Sequence, residues 1–207
     1  MLVVGAKGMA KELLELLVTE GNFNKNTLVF YDDIDTTNDL LYNTYSILHS
    51  YDAAKKYLKK KPSFTLGVGN PLVRKRLYKR FIELGGEPIT VISTNATIGS
   101  FNTIIGQCCQ IMQGVIITND VTIGKGVLIN LNTTISHDCY IGEFTEIACN
   151  VSIPGRCRIG KNVFIGSNAT LMPDIIVGDN TVIGAGAMVV KDIPANTTVI
   201  GNPAKKI

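Results

Sequence analysis

The sequence predicts an α/β N-terminal domain with a small parallel sheet, residues 1–90, followed by a parallel β-helix of hexapeptide repeats, residues 91–207. Three observations carry that expectation. Strand-like and helix-like segments alternate up to about residue 90. Beyond residue 91 helical spacing disappears, and an aliphatic residue recurs every six positions. A composition of 45% apolar and 18% charged residues supplies a core and argues against disorder.

The first half reads element by element. LVVG (2–5) is a strand running into the glycine turn GAKG, and MAKELLELLVTEG (9–21) follows with leucines at helical spacing. LVFYDD (28–33) is a strand ending in two carboxylates. A helix is expected near 51–60, with the lysines of AAKKYLKKK on a solvated face. FTLGVGN (64–70) is the next strand. PLVRKRLYKRFIELG begins with Pro71, suited to a first helical turn because that position needs no N–H donor. ITVI (89–92) is the expected last strand of the sheet.

In the second half, Ile111, Ile117, Ile123, Ile129, Ile135, Ile141, Ile147, Ile153, Ile159, Ile165, Leu171, Val177, Ile183 and Val189 keep one register without a break. Ile92, Ile98 and Ile104 continue it upstream, with one extra residue before Ile111. Four residues after each aliphatic position comes a small or branched residue, such as Val115, Val127, Thr133, Cys139 or Ala169. Glycine often follows directly, as in IGKG and IGAG, where unusual backbone dihedrals at a corner would favour it. A hexad supplies one short strand and one tight corner. Three hexads close a triangular coil, and coils stack at the inter-strand spacing of about 4.8 Å.

Bulk properties narrow the function. A net charge of +3 is too slight to indicate nucleic acid or a membrane surface as partner. No run approaches the roughly 20 apolar residues of a membrane span. The opening residues lack a basic region followed by a long apolar stretch, so a cytoplasmic location is expected. Five cysteines without a C-x-x-C spacing argue against a zinc knot or a disulfide framework. Cys139 and Cys157, 18 residues apart, are expected as buried thiols. A zinc enzyme on this repeat would need three histidines, and the repeat region has one, so no metal is expected.

That histidine is His137, in TISHDCYIG (134–142). The other, His49, lies in YSILHSYD with no obvious partner. Position 155, one coil beyond His137, is glycine, which leaves space beside the imidazole. Asp138 follows directly and Asp120 lies one coil below, so either carboxylate can orient the ring.

The IG-led hexads, the HDC tripeptide and the ending IGNPAKKI resemble the left-handed β-helix acyltransferases. GAKG, FYDD and GVGN ahead of an arginine-bearing helix narrow this to bacterial sugar acetyltransferases. The types resembled are the UDP-4-amino-sugar N-acetyltransferases and the sialic-acid O-acetyltransferases. The resemblance implies a Rossmann-like nucleotide-sugar-binding domain at 1–90 and a left-handed β-helix acetyltransferase domain at 91–207. It implies His137 as general base and Asp138 as the residue that increases its basicity. It implies acetyl-CoA as co-substrate, held at Ser167 and Ala185 along the pantetheine arm, and a homotrimer. Glu146 stands where such proteins often carry a second histidine at the thioester; a carboxylate donates there only when protonated. Lys7, Gly8, Met9, Asp32, Asp33, Gly69 and Asn70 are the implied nucleotide-sugar contacts, with Met9 in place of a common histidine.

Taken alone, GAKGMA is only a fragment of a dinucleotide fingerprint, which disfavours a dehydrogenase. A non-catalytic nucleotide-sugar-binding protein is the rival of a different class. The sequence does not separate N- from O-acetylation.

Overall fold

The computed structural model describes residues 1–21 and 23–207. Its chain divides into two compact units, Met1–Gly69 with Val73–Thr90 and Asn70–Leu72 with Val91–Ile207.

The first unit is a six-stranded sheet with three helices. The strands are β1 (Leu2–Val4), β2 (Val29–Tyr31), β3 (Leu40–Leu41), β4 (Tyr45–Leu48), β5 (Ser63–Leu66) and β6 (Glu87–Pro88), in the order β3-β4-β2-β1-β5-β6. All neighbours are parallel except β3 with β4. The helices are α1 (Gly8–Thr19), α2 (Tyr51–Leu58) and α3 (Pro71–Glu83), the last opened by Pro71 as its sequence predicts. Central β1 is Leu-Val-Val with no exposed surface, because a parallel strand covered on both faces needs no polar side. Helix α1 buries Ala10, Leu13, Leu14, Leu16 and Leu17 along one stripe. The chain leaves β1 toward β2 and returns to the opposite edge of β1 as β5. A topological switch point therefore opens at the carboxyl ends of β1 and β5.

Two expectations change here, and one element is added. The stretch 40–48 forms the β3–β4 hairpin, turned by Tyr42 and Asn43, both at φ 51°. Consecutive left-handed residues give the mirror-image turn that matches strand twist, and Asn43 was its only sequence signal. The strand expected over 64–70 stops at Leu66. A Cβ on Gly67 would lie 2.8 Å from Val3 Cγ1 and 2.9 Å from Ala10 Cβ, so that glycine is a packing requirement. ITVI is not the last strand of this sheet. Glu87–Pro88 completes it against β5, and Val91–Ile92 pairs with Gln110–Ile111 as the first rung of the coil.

The second unit is a left-handed parallel β-helix whose three faces are separate sheets of short rungs; from Ile104 to Val189 each rung pairs with the one 18 residues on, while the first two pairings span 19 residues and the last 16. All fourteen aliphatic residues from Ile111 to Val189 lie inside, none more than 1% exposed. Each fully buried side chain of this size contributes about 1.5–3 kcal/mol. Small residues four positions later are buried as well. Where they are polar, each donates to a carbonyl one coil away: Thr133 Oγ1 to Ala148 O at 2.9 Å, Thr145 Oγ1 to Gly160 O at 2.9 Å. Cys139 and Cys157 do the same through sulfur, to Pro154 O at 3.1 Å and Met172 O at 3.3 Å, and both are free thiols. These inward polar atoms are thereby satisfied without interrupting the core.

The corners work differently from the sequence reading. Left-handed backbone sits three residues after the aliphatic position, at Asp120, Asn132, Asp138, Asn150, Asn162, Asn168, Asp174 and Asn180 among others. Asparagine and aspartate tolerate that region best after glycine. The glycines directly after the aliphatic residue are needed for close approach instead. A Cβ on Gly124 would lie 2.7 Å from Glu143 N, and one on Gly166 would lie 2.5 Å from Ala185 N. The upstream register also shifts. Ile105, not Ile104, pairs with Ile123 and packs on the core, while Ile104 is 61% exposed. The extra residue thus falls between Ile98 and Ile105, and Gly106 was the overlooked signal, since it repeats the Ile-Gly step.

Candidate active site

His137 and Asp138 form one corner of the coil, Asp138 in the left-handed region at φ 61°. That backbone turns the carboxylate back toward its neighbour: His137 Nδ1 lies 2.7 Å from Asp138 Oδ2, with both side chains 55% exposed. Asp120, the other candidate carboxylate, instead accepts from Asn102 Nδ2 at 2.8 Å. A carboxylate only accepts, so Nδ1 carries the hydrogen and the neutral ring keeps its lone pair on Nε2. The ring lies over Gly155. A Cβ there would sit 2.6 Å from His137 Cε1 and 2.7 Å from Nε2. Any larger residue would displace the imidazole.

The same corner column continues with an ion pair absent from the sequence reading. Arg156 Nε lies 2.5 Å from Asp174 Oδ1, and a second guanidinium nitrogen lies 2.9 Å from Oδ2. The Arg156 hydrogen bond holds the Asp174 carboxyl below its ordinary range, and Asp174 in turn raises the arginine. Their 18-residue spacing was the available signal.

Ser167 and Ala185 occupy a different corner column from His137. Ser167 O accepts from Gly186 N at 2.8 Å, which stacks the two corners. The amide N–H groups of Ser167 and Ala185 take no part in the coil-to-coil hydrogen bonds among the described residues. Each is a donor available to an extended ligand along the column. Glu146 is not beside His137 within the chain. It lies half-buried in the rung Glu146–Ile147, between Leu128 and Phe164, on the sheet that does not flank the His137 corner.

In the first unit, Lys7 and Asp32 border two adjoining cavities at the switch point. One, of about 220 Å³, is walled by Lys11, Asp35, Asn38 and Tyr42; the other, of about 110 Å³, by Tyr31, Asp33, Val68 and Arg76. Lys7 caps α1 and pairs with Asp35. The Lys7 and Thr37 hydrogen bonds hold the Asp35 carboxyl well below the usual carboxylate range, and Asp35 raises the lysine. Asp32 is buried and accepts from the amides of Ile34 at 3.0 Å and Asp35 at 3.1 Å, so one carboxylate oxygen shapes its own loop; Asp33 is exposed. Gly5, at φ 123°, lets the β1 loop approach the β5 loop: a Cβ there would lie 2.5 Å from Gly67 O.

The remaining expected contacts divide. Gly8 and Met9 form the first turn of α1, where a Cβ on Gly8 would meet nothing within 4 Å. Gly69 follows Val68 at the carboxyl end of β5. Asn70 caps α3, its Oδ1 accepting from Leu72 N at 3.1 Å. Lys11, Asp35, Asn38 and Arg76 were missed; Lys11, one helical turn after Lys7, is the one that spacing could have found. No group of residues suited to a metal occurs among the described residues, and no helix there is long and apolar enough to cross a membrane.

Comparison with known proteins gives concordant matches for both units. Residues 1–81 match the PglD N-terminal domain, and residues 156–191 match the bacterial transferase hexapeptide of six repeats. The chain is 30% identical to the acetyltransferase domain of PglB from Neisseria gonorrhoeae, solved alone and in complex with acetyl coenzyme A. That alignment covers 100% of this chain and 98% of that one, at a TM-score of 0.90. WeeI from Acinetobacter baumannii is 29% identical over the same shares, at 0.89. A histidine-to-asparagine mutant of perosamine N-acetyltransferase from Caulobacter crescentus, in complex with CoA and GDP-perosamine, is 26% identical. It matches over 100% of this chain and 95% of that one, at 0.77. None of the curated proteins matches the chain.

Proposed function

Because the chain belongs to the hexapeptide-repeat sugar acetyltransferases, we propose that it transfers acetyl from acetyl-CoA to the amine of a UDP-linked 4-amino sugar. The setting is surface glycan biosynthesis. The observation that carries the reading is the His137–Asp138 pair, 2.7 Å apart, with the imidazole in the space left by Gly155.

Asp138 holds the proton on Nδ1, and Nε2 accepts a proton from the sugar amine as its nitrogen attacks the thioester carbonyl. A backbone N–H stabilises the oxyanion, the C–S bond breaks, and the sulfur leaves as CoA thiol after taking up a proton. Transfer is direct, with no acyl-enzyme. Ser167 and Ala185 hold the pantetheine arm through their uncommitted amides, and Glu146 lies near the acetyl group. His137 lies on a different corner from Ser167 and Ala185, and a homotrimer would complete the site by bringing such corners together across its interfaces. Lys7 and the start of α1 face the diphosphate, Asp32 and Asp33 the uridine, with Gly8, Met9, Gly69 and Asn70 along the cleft.

A thiol-release assay with acetyl-CoA tests this over UDP-, GDP- and dTDP-4-amino sugars and over free sialic-acid-like acceptors. Turnover of a UDP-amino sugar is expected. Turnover of the sialic acid alone would make the protein an O-acetyltransferase. Nucleotide-sugar binding without any thiol release would make it a non-catalytic binder.

A further inference from the structure

His49 looks idle in the sequence, yet it stands across the neck of a loop. Its Nδ1 lies 2.7 Å from the main-chain oxygen of Asp32, and its Nε2 lies 3.4 Å from Asp39 Oδ1. Asp32 and Asp39 are the two ends of the segment that brings Asp33, Asp35 and Asn38 to the cleft walls. Backbone bonds from Asp32 N to Leu48 O (3.0 Å) and from Ile47 N to Asp39 O (2.9 Å) tie the same neck to β4. Within the loop, Asp32 accepts the amides of Ile34 and Asp35, and Asp35 holds Lys7. A carbonyl oxygen only accepts, so Nδ1 must carry a hydrogen. The His49 side chain is only 20% exposed, and its Nε2 is buried with no hydrogen bond, so the bond from Nδ1 to Asp32 is the one the ring makes. A ring spent on packing alone would not spend its one hydrogen bond on the end of that loop.

We propose that His49 is a positioning residue for nucleotide-sugar binding. Through Nδ1–H it holds the Asp32 end of the 32–39 loop, whose Asp39 end the Ile47 amide ties to β4, and thereby fixes Asp32 and Asp33 at the cleft. This rests on the nucleotide-sugar reading of the cleft.

The test compares two variants of the full chain. In His49→Asn the side-chain amide can take the place of Nδ1–H; His49→Leu keeps the bulk and removes the donor. Hydrogen exchange at the Ile34 and Asp35 amides reads the loop without any ligand. The Leu variant should exchange there about tenfold faster, as expected for loss of one hydrogen bond. Its KM for the nucleotide sugar should rise by a similar factor, with kcat and the KM for acetyl-CoA within about twofold of wild type. The Asn variant should recover most of both effects. Nitrogen-15 spectra of the wild type should report a protonated Nδ1 on His49. Unchanged exchange in the Leu variant, an Nε2–H tautomer, or a uniform loss of kcat and melting temperature without rescue by Asn would each overturn the clasp. If no nucleotide sugar is turned over by the wild type, the substrate reading fails, while exchange and tautomer still decide the clasp.

Discussion

The two units position chemical groups by opposite means. In the β-helix every candidate group but Glu146 sits on a corner whose place is fixed by counting: His137, Gly155 and Asp174 belong to one repeating corner, Ser167 and Ala185 to another. In the α/β unit the groups come from loops at a switch point, and each loop is held by its own set of hydrogen bonds, such as Asp32 to Ile34 and Asp35. A repeat makes position cheap and side-chain partners predictable from spacing. A switch point makes a cleft whose lining depends on loop conformations with no period at all.

The sharpest way to break this comparison is at the corner. His137→Ala should reduce kcat about 10²–10⁴-fold, the usual contribution of a general base, while the melting temperature stays unchanged because the side chain is 55% exposed. Retained activity would remove the corner from the chemistry. Next in size is a test of the register within the coil. Ile105→Ala should cost about 2 kcal/mol in urea unfolding, as for an isoleucine lost from a core. Ile104→Ala should cost within about 0.5 kcal/mol, as at an ordinary surface position. The reverse order would restore the register with Ile104 inside.

The smallest expected effect belongs to the cleft. Asp35→Asn should free Lys7 and strengthen UDP binding a few-fold in calorimetry at pH 7, with the effect reduced by added salt. The pH dependence has a fixed sign. The folded Asp35 carboxyl is held below its ordinary value of 3.8, so its pairing is present above that value and is lost only as pH falls through the lower folded value. Wild-type UDP affinity should therefore show no Asp35 transition between pH 5 and 8. A transition in that range, abolished by Asp35→Asn, would contradict the pairing with Lys7.

Legibility followed periodicity. The fourteen inward aliphatics from Ile111 to Val189 were readable because one physical demand, a dry prism interior, repeats without interruption. The Ile104–Ile105 step was misread because two adjacent isoleucines satisfy the spacing equally well, and only rung pairing chooses between them. The role of the Ile-Gly glycines was misassigned for a similar reason. Sequence registers the absence of a side chain, but not whether a dihedral or a neighbouring backbone demands it. In the first unit, the β3–β4 hairpin was passed over because Tyr42 and Asn43 are weak turn residues on paper.

By itself the sequence determined the alternating and six-residue halves, the inward columns, and a solitary imidazole in the coil with glycine one turn above it. Those features rest on local periodicity and on what fits beside a given backbone. The tertiary structure alone decided that Asp138 rather than Asp120 meets His137, that Asp35 engages Lys7, and that His49 holds the Asp32 end of a loop. Such pairings depend on side-chain directions and on residues brought together from distant segments, and no spacing rule encodes either.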